Sequence, residues 1–210
     1  MQKYYSRLQQ LPLPTPGKLS DGLRTLIRKR SSFRNFSETP LDFSTLSDIL
    51  FYSAGVMRPN PTEIENPFRA YPSGGAKYPL EIYPLILSGK GIQQGLYHYS
   101  PLSHSLDVLL QPIFPKELDG IWTTQEWFRK AAAIIILTAI FHRTTNKYGE
   151  RGIKFPYIEA GHLAQNIHLL ATSLDLGCCS IGLLNEDALV KLLDINPRDE
   201  YPIYSIALGN

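Results

Sequence analysis

Sulfur is scarce here. The only two cysteines in 210 residues, Cys178 and Cys179, are neighbours. Adjacent strand residues point to opposite faces, so this pair cannot staple distant segments, and two thiols are too few for a thiolate zinc site. Two small buried thiols in a reducing, cytoplasmic setting are expected. Excess charge of one sign is also missing. The net charge is +2, without the basic surplus of a phosphate-binding face, which argues against nucleic acid as the main partner. The longest apolar run, residues 131–140, is well short of the roughly 20 residues of a membrane span. Met1 leads into polar sequence rather than a signal-peptide core. Neither a membrane segment nor a targeting segment is expected. Internal repeats, low-complexity tracts and the spacing of a Walker-type phosphate loop are absent too.

What is present is organised around residues 69–81, Arg-Ala-Tyr-Pro-Ser-Gly-Gly-Ala-Lys-Tyr-Pro-Leu-Glu. Pro72 stiffens the approach, Gly74 and Gly75 free the backbone, Lys77 and Tyr78 offer proton chemistry, and Pro79 marks the exit. A small-residue turn opening a short helix brings backbone N–H groups close to a flat or anionic ligand. An ordinary glycine turn with two solvated polar residues explains the same spacing.

Along the chain, residues 1–18 read as a Pro-rich arm and 19–210 as one domain. Ser20 is a candidate cap for a helix that runs into the basic and hydroxyl-rich segment 28–36. There Arg30, Ser31, Ser32 and Arg34 suit a phosphate or polyol, or form a solvated basic helix end. A second helix spans residues 43–54, capped by Ser44 and stopped at Gly55. Residues 56–70 read as a loop, 80–87 as a strand, 89–91 as a turn, and 95–99 with 105–109 as a hairpin. His98 and His104 lack a third ligand for metal binding. A helix is expected over 115–130, and a strand buried on both faces over 131–140. Residues 143–152 suggest a mobile loop and 158–176 the longest helix, with His162, Gln165 and Asn166 as structural polar groups. Residues 177–182 read as a second small-residue turn, followed by a helix capped by Asn185 and a last strand over 202–208. The fold class is α+β: a mostly antiparallel or mixed central sheet flanked by helices, rather than a doubly wound nucleotide fold.

Five pieces in this order resemble the flavin-dependent nitroreductase superfamily. They are residues 30–36, 69–81, 95–99, Glu-Ala-Gly-His-Leu-Ala-Gln-Asn at 159–166 and Ile-Ala-Leu-Gly at 206–209. More narrowly, they resemble its SagB/ThcOx-type dehydrogenase branch, the azoline oxidases of peptide natural-product biosynthesis. The resemblance implies a homodimer with FMN at the interface and both subunits lining each site. Carried over by position, Arg30, Ser32 and Arg34, with Ser31 between them, would hold the phosphate and ribityl chain. Pro72, Ser73, Gly74 and Gly75 would lie along the isoalloxazine, with Ser180, Ile181 and Gly182 facing it from the other segment. Lys77 and Tyr78 would be the catalytic pair, with Lys77 as a base whose pKa must fall far below the ~10.4 of a free lysine. The implied reaction oxidises a thiazoline or oxazoline in a peptide or small molecule, passing hydride to FMN and then electrons to oxygen, with or without a biosynthetic partner protein. The alternatives are an NAD(P)H-dependent nitro- or quinone reductase and a flavin-binding protein without turnover.

Overall fold

The strand read as buried on both faces forms the middle of the molecule. In the computed structural model, which describes residues 21–64, 66–113, 115–122 and 126–210, every residue of that strand is buried. In chain order the elements are α1 (Asp21–Lys29), β1 (Leu41–Asp42), α2 (Phe43–Ala54), β2 (Val56–Arg58), β3 (Phe68–Arg69), β4 (Leu80–Ile86), β5 (Gly89–Lys90), β6 (Gly95–Ser100) and β7 (Ser105–Leu110). There follow β8 (Ala133–Ala139), α3 (His142–Tyr148), α4 (Lys154–Ser173), β9 (Gly177–Ile181), α5 (Glu186–Leu193) and β10 (Tyr201–Gly209). The main sheet has the order β7-β6-β4-β8-β10-β9 and is antiparallel throughout; the only parallel pairing among the described residues joins β1 to β5.

Period-two geometry divides β8 between two cores. Ala133, Ile135, Leu137 and Ala139 pack under α2 and α4 with Leu46, Ile49, Leu163 and Ile167. Ile134 and Ile136 face Trp122, Phe128, Leu189 and Leu193 on the other side. Each buried isoleucine contributes about 1.5–3 kcal/mol, which is why a strand with no polar face stays central. Trp122 satisfies its indole N–H on Ser205 Oγ at 3.2 Å.

Several expectations are corrected. Segment 56–70 is not a plain loop, because β2 and β3 pair within it, and β5 occupies the expected turn at 89–91. Residues 143–152 are not a mobile loop but α3 and a 3-10 turn, fixed by Thr144, whose hydroxyl donates to Gly152 O at 2.9 Å. The 115–130 segment is not one helix; it forms 3-10 turns at Pro115–Leu118 and Glu126–Lys130. Its aromatics serve the second core instead of forming a helical stripe. Residues 177–181 form the edge strand β9 rather than a turn. Asp42, not Ser44, stands at the α2 N-cap, whereas Asn185 caps α5 by accepting from the Ala188 N–H at 3.2 Å. The longest helix begins at Lys154, four residues early, and stops at Ser173. The Pro-rich arm at 1–18 and the Ser20 cap lie outside the described residues. No described helix is long and apolar enough to cross a membrane.

Candidate functional site

The 72–78 turn is bound tightly from within. The Ala76 N–H donates to Ser73 O at 3.1 Å, and the Tyr78 N–H donates to Ser73 Oγ at 2.8 Å. Gly75 has φ 63°, and Ala76 and Tyr78, on either side of Lys77, also carry positive φ, at 54° and 43°. Left-handed backbone at non-glycine residues costs about 1–3 kcal/mol each and persists only where the surroundings enforce it. Here they do. Arg143 Nη1 donates to Tyr78 O at 3.0 Å, the Arg69 N–H donates to Tyr78 Oη at 2.8 Å, and the Tyr71 ring meets Tyr78 edge-on. Tyr78 is therefore 4% exposed, with the Arg69 guanidinium 4.6 Å from its ring centre.

Lys77 points the other way, into a polar cavity of about 440 Å³, and its Nζ donates to both oxygens of Glu63 at 3.1 and 3.0 Å. The Lys77 bond, followed by one from Asn66, holds the Glu63 carboxyl below its usual range. Glu63 is placed by buried Asn60, whose Oδ1 accepts from Thr62 N, Thr62 Oγ1 and Glu63 N. Across the cavity, burial pushes Glu81 up, but bonds from His98 and Arg143 bring it below the normal carboxylate value. His98 is raised, first by its bond to Glu81.

In the direction a Cβ would take, the two glycines face the chain itself. A Cβ on Gly75 would lie 2.5 Å from Tyr148 Oη and 2.7 Å from Lys147 Nζ, and one on Gly74 would lie 3.4 Å from the Phe155 ring. The chain's own α3 and the start of α4 fill that space. Below, the Gly74 N–H donates to Glu159 Oε1 at 3.0 Å. Glu159 is 2% exposed and its Oε2 has no hydrogen-bond partner. Burial raises it to about 7, only partly offset by the Gly74 bond.

The 30–36 segment runs along the free edge of β9, where the Phe33 N–H donates to Cys178 O at 2.9 Å. Ser31 and Ser32 are exposed. The two arginines part company. Arg30 acts on the α4 side, where its charge reaches His168 and Cys178, while Arg34 lies 6.0 Å over the Trp127 ring and its charge reaches Cys179. The alternation of Cys178 and Cys179 is the cause, and burial raises both thiols. His168 Nε2 bonds Ser180 Oγ at 3.0 Å, its Nδ1 has no partner, and burial, then the Arg30 charge, lowers its pKa. Ile181 turns into the second core, while Gly182 stays open: a Cβ there would meet only Tyr204, at 3.8 Å.

Thus Pro72–Tyr78 form one group, and Arg30 and Ser180 both bear on His168, while Arg34 lies over Trp127 and Ile181 enters the second core. The sequence reading missed Glu63, Arg143, Lys147, Glu159 and His168 as site residues. Of the polar residues it placed inside α4, Asn166 does bond Ser53 O and Ala70 O, both at 3.4 Å, whereas His162 and Gln165 are exposed. His104 bonds Ser47 and Tyr99.

Known proteins are similar to this chain in sequence and in fold. A protein of Methanocaldococcus jannaschii named as a nitroreductase is 36% identical over 200 residues, spanning 95% of this chain and 94% of that one. The microcin B17-processing protein McbC of Escherichia coli is 27% identical over 154 residues, 69% of this chain and 54% of that protein. Among solved structures, a chain of the Escherichia coli microcin synthetase McbBCD complex, with truncated pro-microcin bound, superposes with TM-score 0.76 at 25% identity, covering 98% of this chain and 79% of that one. A Desulfovibrio desulfuricans nitroreductase-type structure holding FMN shares the fold at TM-score 0.60 and 18% identity, over 91% of this chain and 87% of that one. The Nitroreductase family model matches residues 27–210, nearly everything from the last turns of α1 to the C-terminus, and the chain belongs to that family.

Proposed function

We propose that the protein is an FMN-dependent oxidoreductase of the SagB/ThcOx type that oxidises a thiazoline or oxazoline ring, in a peptide or small molecule, to the azole. The observation that carries this is the strained 76–78 backbone, which aims Lys77 Nζ into the polar cavity. The family membership and the likeness to the microcin B17-processing protein support it.

The residues present fit the cofactor. Arg30 with the exposed Ser31 and Ser32 would take a phosphate and polyol; Pro72–Gly75 and Ser180–Gly182 would border the ring, with the unpartnered His168 Nδ1 behind Ser180. Arg34, exposed and stacked over Trp127, would have to leave that ring to join this clamp. Bound FMN would supply the two-electron acceptor. Lys77 would take the proton from the ring carbon, with the twin oxygens of Glu63 holding its Nζ in place. Tyr78 would act by fixing the backbone around Lys77, since its hydroxyl already serves Arg69.

A homodimer is part of this reading. The Gly74 and Ser180 groups are tied to α4 at Glu159 and His168, nine residues or about 13 Å apart along the helix. A second copy against the exposed Tyr157 and Ile158 of α4 would bring one group to face the other. A biosynthetic partner protein is a further proposal, suggested by the assembly that contains McbC.

Lys77→Ala is expected to keep the flavin absorbance and to slow reduction of the bound flavin by an azoline substrate by about 100-fold or more, followed anaerobically as a single turnover. A colourless variant would show that Lys77 holds the cofactor instead. The second reading, an NAD(P)H-dependent nitroreductase, is favoured by the 36% identical relative. Rapid bleaching of bound FMN by NADH or NADPH, with none by an azoline peptide, would decide for it.

A further inference from the structure

A second cavity, of about 340 Å³, adjoins the first across Arg69 and Tyr78, which line both. Its other walls include Arg58, Phe68, Tyr71 and Ser73, and among the described residues no acidic side chain lines it. In the first cavity Lys77 pairs with Glu63, and His98 and Arg143 pair with Glu81, leaving only the shared Arg69 without an ion pair among the described residues. In the second, neither guanidinium is ion-paired among the described residues. Each lies on an aromatic ring instead, Arg58 at 5.0 Å from the centre of Phe68 and Arg69 at 4.6 Å from that of Tyr78. Register sets the first stack, because Arg58 faces Phe68 across the β2–β3 pairing. A stacked guanidinium is preorganised and keeps its in-plane N–H fork available for two oxygens. The Tyr71 hydroxyl, 1% exposed, stands in the same wall within reach of the Arg69 charge.

We propose that this cavity is an oxyanion subsite, taking a carboxylate or phosphate of the molecule that reacts at the neighbouring turn. As a substrate subsite it rests on the flavin reading; as an oxyanion site it does not. A free carboxylate of a peptide and the phosphate of a nicotinamide dinucleotide share the required chemistry.

The test is calorimetric titration of inorganic pyrophosphate into the protein with and without saturating FMN, for wild type, Arg58→Gln, Arg69→Gln and, as control, the exposed Arg198→Gln. One saturable site is expected in the wild type, at least ten-fold weaker in Arg58→Gln and unchanged in Arg198→Gln. Arg58 is exposed, so that arm stands even if Arg69→Gln, which removes the stack on Tyr78, does not fold. Absence of saturable binding, equal weakening by Arg198→Gln, or displacement of pyrophosphate by FMN overturns the proposal. Preference for NADPH over NADH that disappears in Arg58→Gln identifies a dinucleotide phosphate. Preference for a free-acid over an amidated azoline peptide that disappears identifies a carboxylate, and neither preference in the wild type overturns the subsite. A parallel FMN titration without binding would sink the flavin reading while leaving pyrophosphate binding intact.

Discussion

Helix α4 grips two parts of the candidate site with groups of opposite acid–base character. Near its start, Glu159 holds the Gly74 N–H; about two and a half turns later, His168 holds the Ser180 hydroxyl. Burial favours the neutral form of both, so Glu159 is raised and His168 lowered. The two ends therefore answer pH in opposite directions. The turn carrying Lys77 is anchored on an acid that resists ionising, and the β9 edge on a base that resists protonation.

The sharpest way to break that contrast is to remove the titration at each end. For Glu159 the folded value, about 7, lies above the unfolded 4.5, so the folded state binds the proton more tightly. Its contribution is then full below pH 4.5 and is lost as pH rises through about 7, amounting to about 3 kcal/mol. Glu159→Gln keeps an acceptor for Gly74 but cannot ionise. It is expected to raise the melting temperature at pH 8.5 by about 6–10 °C and to change little at pH 4.5. For His168 the folded value lies below the unfolded 6.5, so stability is lost as pH falls through that value. His168→Gln flattens this acid limb only. Thermal melts from pH 4.5 to 9 read both variants; a wild-type alkaline limb that survives in Glu159→Gln would end the comparison.

A steric contrast comes next. Gly177, at the start of β9, leaves room for Phe33: a Cβ there would lie 2.1 Å from the ring's Cδ1. Gly177→Ala must swing the ring away from Phe36, its edge-on partner at 5.5 Å, and loosen the 30–36 segment from the strand edge. A cost of about 2 kcal/mol is expected, with an FMN dissociation constant about ten-fold higher by fluorescence titration. Gly161 is the control on α4 itself, with nothing within 4 Å of its Cβ position, and Gly161→Ala should be neutral or slightly stabilising.

The parts of this molecule legible in the sequence are those written in local pattern. The apolarity of 133–139, the α2 stripe of Leu46, Ile49 and Leu50, the 95–110 hairpin and the Asn185 cap all rest on neighbours in the chain. The turn at 72–78 was visible for the same reason. Its supports were not, because Glu159 reaches Gly74 across 85 residues and Arg143 reaches Tyr78 across 65. Glu159 was visible only as a letter within the 159–166 piece. Arg34 looked equivalent to Arg30, but the edge of β9 sorts them to opposite faces, and that sorting depends on a pairing between residues 33 and 178.

Apart from the Gly161 control, the smallest effect is expected at Gly75, which looks on paper as constrained as Gly177. Its φ of 63° makes any side chain strained, and Cβ contacts of 2.5 and 2.7 Å would follow. But those contacts are with Tyr148 Oη and Lys147 Nζ, the far ends of long side chains, not with a ring held against the sheet. Gly75→Ala should therefore cost little beyond the left-handed backbone itself, about 1 kcal/mol, or roughly 2–4 °C in melting temperature. Catalysis should suffer more than stability. The Lys147 charge also bears on Glu63, so pushing Lys147 aside disturbs the carboxylate that holds Lys77. A melting-temperature loss as large as that of Gly177→Ala would mean that α3 is a rigid roof over the turn, and the two glycines would then be constrained alike.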